Sequence, residues 1–381
     1  MISSADKFGF YQAGSLKTYS KLEAIEWQSR TGHFPEWNFN KEIFSRQNWH
    51  VEPPIDLWEL YKARARQIRE KYDYCILFYS GGSDSGNMLK AWTQAGCKID
   101  EIACFVDYEA VGDKNDIVNA EPNNVVYPTV KKMIDSGMDF VFREIDYSQD
   151  ILDYVKEMNV DYFYNINHSF SPNNGVKCRF RQSVPAYKDI INQGKRLCFI
   201  WGMEKPQIGL DDQGWYFQFL DTIDNCVDPC TQRHYDQGWF DELFYWAPDM
   251  PEIVIKQSHI VKRFCETCHD IQFYQNKKSP YGYNKTLNMY ITMDAIKQII
   301  YPFWDVNTFT SGKSKPIREG MGYLAFSERD RWFFDSNIDE AAKYESHMWS
   351  FIKQLKNPYY NWFDVSGNSV ITASRQKHYF A

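Results

Sequence analysis

Six consecutive residues, Ser80-Gly81-Gly82-Ser83-Asp84-Ser85, concentrate groups suited to holding an anion. The two glycines let the backbone turn tightly and approach a charged ligand with no side chain in the way. The serine hydroxyls add donors. If the segment opens a helix, the first N–H groups and the helix dipole face the same point, as at helix-terminal phosphate sites. Asp84 runs against that chemistry, because its carboxylate repels a phosphate unless a cation lies between them. A Mg2+ ion bridging carboxylate and phosphate removes the conflict. The alternative for these residue types is a glycine-containing helix start in which Ser and Asp serve only as caps. The Walker pattern Gly-x-x-x-x-Gly-Lys-Ser/Thr does not occur, so any phosphate loop here is of another kind.

The flanking residues say what positions this loop. Before it, Tyr74-Cys75-Ile76-Leu77-Phe78-Tyr79 runs six residues without a charge. Such a run bounded by glycines predicts a strand buried on both faces, as in a parallel sheet. After it, Met88, Leu89, Trp92 and Ala95 share one helical face, and Gly96 is a natural stop. Residues 102–106 predict the next strand, which makes one βαβ unit. The alternation continues with helix at 125–138, strand at 140–145, helices at 150–158 and 185–193, and strand at 196–201. This predicts an α/β fold with a doubly wound parallel sheet, whose ligands sit outside the carboxyl ends of the strands. Upstream, Leu57, Leu60, Tyr61, Ala65 and Ile68 predict a helix over 57–72, after a boundary at Glu52-Pro53-Pro54. Beyond about residue 222 the pattern changes, and 251–264, 287–300 and 338–356 predict a largely helical C-terminal region. The expected division is therefore an N-terminal region at 1–56, a nucleotide-binding domain at 57–222 and a helical substrate region at 223–381.

Bulk properties narrow the class. The 381 residues are 44% hydrophobic and 24% charged, ordinary for a globular chain. A net charge of −7 argues against non-specific nucleic-acid binding, which needs basic surface. No apolar run approaches the roughly 20 residues of a membrane-spanning helix. The first residues lack a basic stretch followed by an apolar one, so no export signal is expected. The nine cysteines are scattered, and a reduced, cytoplasmic protein is the expectation. Aromatic residues reach 17% and are expected mainly in the core, with stacking surfaces for bases as the second reading. Nothing in the sequence specifies an oligomeric state.

The hexapeptide 80–85 resembles the signature of the PP-loop superfamily, the adenine nucleotide α-hydrolase-like proteins, and the likeness extends over about residues 57–205. The resemblance implies ATP and Mg2+ as cofactors, cleavage of ATP between its α and β phosphates, transfer of AMP to an acyl or carbonyl oxygen, and release of pyrophosphate. Two kinds of member are similar to other parts of the chain. The stretch from Gly9-Phe10-Tyr11-Gln12 to Tyr19-Ser20-Lys21-Leu22-Glu23-Ala24-Ile25 resembles the end of the glutaminase domain of asparagine synthetases, although Ile2 stands where that domain has its nucleophilic Cys. Cys178-Arg179-Phe180-Arg181-Gln182-Ser183-Val184-Pro185, followed by Phe199-Ile200-Trp201-Gly202-Met203-Glu204, is similar to a segment of phosphoadenylyl-sulfate reductases. That second resemblance implies that basic residues here touch phosphate or sulfate, and the alternation of Lys177, Arg179 and Arg181 puts the two arginines on one side. Cys265-Glu266-Thr267-Cys268-His269 does not match the catalytic tail of those reductases.

The site expected from these readings comprises Asp84, Lys205 and Arg181 as catalytic groups. Ser80, Gly81, Gly82, Ser83, Asp84, Ser85, Asp107, Arg179 and Gly202 are the expected nucleotide-binding residues. Asp84 and Glu204 are the expected Mg2+ ligands. Asp107 ends the second strand, where a capping role is the alternative. Gly202, Glu204 and Lys205 follow the strand ending at Trp201, where a surface Glu–Lys pair is the alternative. Lys313, Lys315 and Arg318 form a basic loop suited to pyrophosphate or simply to solvent. Cys226, Cys230, Cys265 and Cys268, with His234 and His269, read either as a metal cluster or as buried thiols. The function expected is that of an adenylating ligase acting on an adenine nucleotide and an unidentified small-molecule or nucleotide acceptor; some relatives of this type are virus-encoded. Sulfonucleotide reduction or sulfur transfer, and nucleotide binding without catalysis, are the alternatives.

Overall fold

A computed structural model describes residues 6–108, 113, 115, 119–157, 180, 184–221, 238–267, 293–304, 333–352 and 374–380. Its centre is a five-stranded sheet in which every neighbouring pair is parallel. The strands are β4 (Tyr74–Phe78), β5 (Glu101–Val106), β6 (Val141–Asp146), β7 (Leu197–Trp201) and β10 (Trp239–Leu243), in the order β10-β7-β4-β5-β6. From β4 the chain steps outward through β5 and β6, then crosses back to lay β7 and β10 on the opposite side. The reversal of strand order therefore falls between β4 and β7, and the crevice at their carboxyl ends is where an open α/β sheet takes its ligand.

Helices cover both faces. The register sets Phe199 of β7 beside Asp241 of β10, so Glu242 points to the opposite face from Phe199. Tyr187 of α7 (Pro185–Asn192) packs edge-on to Phe199 at 5.2 Å. Arg64 of α3 (Leu57–Lys71) reaches Glu242 at 2.9 Å. These contacts put α7 and α3 on opposite sides, as the doubly wound expectation requires. Next to α3 lie α4 (Ser83–Gln94) and α8 (Glu252–Thr267). Between β5 and β6 runs a π-helical turn (Pro122–Val126) that continues into α5 (Tyr127–Asp135), and α6 (Ser148–Glu157) follows β6.

Two small antiparallel sheets flank this body. One orders β2-β1-β3 from Leu16–Thr18, Phe10–Ala13 and Glu36–Asn38, backed by α1 (Lys21–Thr31). The other orders β11-β9-β8 from His378–Phe380, Gly214–Phe217 and Ile208–Asp211. The C-terminal region carries α9 (Met293–Ile300) and α10 (Ile338–Ile352) as well as α8, and it also supplies the edge strand β10 and the last strand β11. The short α2 (Lys41–Phe44) and the residues around it bring rings to the shared core. There, fully buried Trp246 lies 5.9 Å from Phe39, 5.8 Å from Phe217 and 5.2 Å from Phe219.

One buried carboxylate ties several of these pieces together. Glu242 is fully buried and accepts from Lys7 at 2.7 Å, Arg64 at 2.9 Å, Lys71 at 2.7 Å and the Tyr72 hydroxyl at 2.6 Å. Burial by itself raises such a carboxyl, but Lys7, Arg64 and Lys71 outweigh it and hold Glu242 well below the usual carboxylate range. Its contribution to stability is complete above the ordinary value of 4.5 and is lost as pH falls below that. His378 adds a second acid-sensitive point. Its ring stacks on Trp49 at 4.6 Å, and burial pushes it from the ordinary 6.5 down to about 4. The unfolded chain takes up this proton first, so folding loses stability as pH falls from 6.5 toward 4.

Glu242→Gln should lower the unfolding free energy at pH 7 by about 3–5 kcal/mol, because Lys7, Arg64 and Lys71 lose the carboxylate they share, and Arg64 keeps only Asp249 as an acidic partner. Urea denaturation measures this, and a loss below about 1 kcal/mol would refute the network's role. His378→Phe should shrink the fall in urea midpoint between pH 7 and pH 5. An undiminished fall in that variant would assign the acid sensitivity elsewhere.

Candidate functional site

The loop 80–85 joins β4 to α4 at the reversal of strand order. Gly81 adopts φ +83°, a left-handed conformation that side-chain-bearing residues rarely take. A Cβ there would come 3.3 Å from the Glu121 carbonyl oxygen and 3.2 Å from Val125 Cβ, so the loop rests against the π-helical turn. Ser80 and Ser85 close the loop on itself: the Ser80 N–H donates to Ser85 Oγ at 3.2 Å, and the Gly82 N–H donates to Ser80 Oγ at 3.3 Å. Gly82 is the N-cap of α4 and makes no side-chain cap bond. The Gly86 N–H reaches back to the Gly82 carbonyl, so the N–H groups of Ser83, Asp84 and Ser85 form the open end of the helix.

The exit of β7 comes to the same place. Gly202 lies so close to α4 that a Cβ on it would sit 3.0 Å from the Asp84 carbonyl oxygen and 3.0 Å from Ser85 Cα. Both neighbours are backbone and cannot rotate away. Three residues on, Lys205 Nζ donates to Asp84 Oδ2 at 2.6 Å. The Lys205 side chain is only 7% exposed and that of Asp84 is 27% exposed, so the pair is shielded from water and open on the carboxylate side.

Two buried phenols complete the surroundings of Asp84. The Tyr301 hydroxyl donates to Asp84 Oδ1, and the Tyr245 hydroxyl donates to the Asp84 carbonyl oxygen at 2.8 Å. Asn87 Nδ2 in turn donates to the Tyr245 hydroxyl at 3.0 Å. Burial first, then the nearby Asp84 charge, pushes the Tyr301 phenol well above its ordinary value, and burial with Tyr61 and Asp84 does the same to Tyr245. Both stay protonated and serve as donors. Tyr245 is brought here by backbone pairing beside β7: the Phe244 N–H donates to the Trp201 carbonyl at 2.9 Å and the Tyr245 N–H to Met203 at 3.3 Å.

Of the residues expected from sequence, the structure gathers Ser80, Gly81, Gly82, Ser83, Asp84, Ser85, Gly202 and Lys205 at one point. Asp107 follows β5 at the same end of the sheet and is buried. Glu204 accepts from Gln207 Nε2 at 3.0 Å. Arg179, Arg181, Lys313, Lys315, Arg318, Cys226, Cys230, Cys268, His234 and His269 lie outside the described residues. Cys265 is buried. Among the described residues no group of three or more His, Cys, Asp or Glu side chains is placed to hold a metal ion. Tyr245, Asn87 and Tyr301 are missing from the sequence reading. Tyr245 stands between Phe244 and Trp246 in sequence, where its hydroxyl gives no signal of its own. Tyr301 follows an apolar helix and belongs to no motif.

Neither a family model nor a curated protein matches the chain. Among solved structures, an NAD+ synthetase from Burkholderia pseudomallei matches at 12% identity with a TM-score of 0.25, over 43% of this chain and 58% of that one. The match thus spans less than two thirds of that protein's length. No helix among the described residues is long and apolar enough to cross a membrane.

Gly202→Ala should force the first turn of α4 away from β7 and lower the unfolding free energy by about 1–3 kcal/mol. An unchanged urea midpoint would show that the close approach at Gly202 carries no constraint.

Proposed function

We propose that the chain is a PP-loop enzyme that binds an adenine nucleotide at the β4–α4 loop and adenylates an acyl or carbonyl oxygen. The observation that carries this reading is the motif 80–85 at the strand-order reversal, with Lys205 brought from β7 to 2.6 Å from Asp84. The open N–H groups of Ser83, Asp84 and Ser85 suit phosphate oxygens. Lys205 supplies the cation that a phosphate beside Asp84 demands, and its ammonium suits the charge that builds up as pyrophosphate departs.

The Asp84 carboxylate also leaves room for a Mg2+ ion. The two oxygens of a carboxylate offer about four acceptor positions, and Lys205 and Tyr301 each take one on Asp84. Asp84 and Glu204 would hold the ion as hard oxygen ligands, and Mg2+ commonly binds through one or two carboxylates plus substrate phosphates. When bound it would neutralise phosphate charge.

In the reaction, an oxygen of the acceptor attacks the α phosphorus, and the bond from that phosphorus to the bridging oxygen breaks. Pyrophosphate leaves with the electron pair. An amine or ammonia then attacks the activated carbon, and AMP leaves. The loop's role is to hold the phosphates still while Lys205 offsets the developing charge. The same reading assigns residues 57–222 to nucleotide binding and 223–381 to completing the site and choosing the acceptor.

The test is incubation with Mg2+ and ATP labelled at the α phosphate, with and without a metabolite pool. Labelled AMP or an AMP adduct is expected, reduced about 100-fold in Asp84→Asn. Production of ADP alone, or nucleotide binding with no turnover, would overturn the adenylation reading.

A further inference from the structure

Tyr301 stands apart from the motif it touches. It follows the last residue of α9 and is fully buried. Its hydroxyl meets one oxygen of the Asp84 carboxylate, and Lys205 Nζ meets the other at 2.6 Å. The backbone of the same residue is held by the Tyr245 hydroxyl at 2.8 Å. Asp84 is thus gripped at three acceptor atoms by donors from three distant parts of the chain. A third phenol, Tyr61, packs edge-on to Tyr245 at 5.4 Å, but its hydroxyl serves the Ile300 carbonyl at 2.9 Å and does not serve Asp84.

The two-point hold on the carboxylate matters because of what hangs from it. A lysine ammonium rides on a flexible four-carbon stem whose rotamers cost entropy to fix. Lys205 has that freedom removed in advance by Asp84, and Asp84 is kept from rotating by Tyr301. We propose that Tyr301 is a positioning residue of the nucleotide site: its phenol fixes the Asp84 carboxylate, which thereby aims the Lys205 ammonium at phosphates presented to the N-terminus of α4. This rests on the nucleotide-binding reading above. It also makes the nucleotide site dependent on the C-terminal third of the chain, since the residue that sets the geometry follows α9.

A double-mutant cycle on the full chain tests it, with ATP affinity measured by calorimetry. Lys205→Met should weaken ATP binding about 10-fold or more, the size of a lost charged hydrogen bond. Tyr301→Phe, which removes only the hydroxyl, should weaken it about fivefold in the native background. In the Lys205→Met background the same change should have less than a twofold effect, because the group through which Tyr301 acts is gone. Tyr61→Phe serves as the control for a lost hydroxyl in the same buried cluster. It should lower the urea midpoint and leave ATP affinity unchanged. Equal effects of Tyr301→Phe in both backgrounds, no effect in either, or a Tyr61→Phe loss of affinity matching that of Tyr301→Phe would overturn the proposal. Absence of ATP binding by the native chain would overturn both it and the reading it rests on. ATP binding without AMP release would remove adenylation only, and the cycle would still decide the role of Tyr301.

Discussion

A carboxylate placed at the open end of a helix is favoured by the helix dipole, yet it sits where an anionic ligand belongs. In this protein the Lys205 ammonium meets that conflict at 2.6 Å, across 121 residues of sequence. Much of the architecture follows from bringing those two groups together. The strand order must reverse between β4 and β7 so that the two strand ends are neighbours. Residue 202 must lack a side chain, because a Cβ would strike the backbone of the first turn of α4. Residues 244 and 245 must run beside the exit of β7 to deliver the Tyr245 hydroxyl to the Asp84 carbonyl.

Charges elsewhere do a different job. Glu242 collects Lys7, Arg64 and Lys71 on the face of the sheet that α3 covers, tying the N-terminal segment and α3 to the edge strand β10. Glu101 does similar work on the other face, accepting from Arg143 at 2.7 Å and from the Tyr187 hydroxyl at 2.8 Å, which anchors α7. Both carboxylates are fully buried and enclosed by donors. Such networks make departures from the native arrangement costly, because breaking one leaves an uncompensated charge. Asp84 is more open, with 27% of its side chain exposed at the end of the helix.

The abundance of aromatic residues resolves into two uses. Most rings fill core. Phe78, for example, stacks on Trp201 at 4.0 Å and on Phe105 at 5.0 Å across three neighbouring strands. Trp246 joins rings from the N-terminal region and from β9. A few tyrosines do more, because a phenol combines an apolar body with a polar end. Tyr61, Tyr245 and Tyr301 are packed as core residues, yet each delivers a hydroxyl to a specific acceptor.

Local patterning determined a great deal by itself. Charge-free runs such as 74–79 and 197–201 read as buried strands, and the apolar spacing of Leu57, Leu60, Tyr61, Ala65 and Ile68 reads as a helix with one buried face. The glycines and serines of 80–85 announced a loop at a strand–helix junction, and Gly202 with Lys205 was legible as the end of another strand. These signals are short in range, and short-range sterics and burial set them. Which strands lie side by side was not legible, because pairing depends on where long connections return the chain. Residues 239–243 include two acids, Asp241 and Glu242, and so lack the charge-free run of the other strands, yet they form the edge strand beside β7. Tertiary structure alone decided that Lys205 would reach Asp84, and that Tyr245 and Tyr301 would take the remaining acceptors. A hydrogen bond between residues more than a hundred positions apart leaves no periodicity in either segment, so only the folded sheet brings it into being.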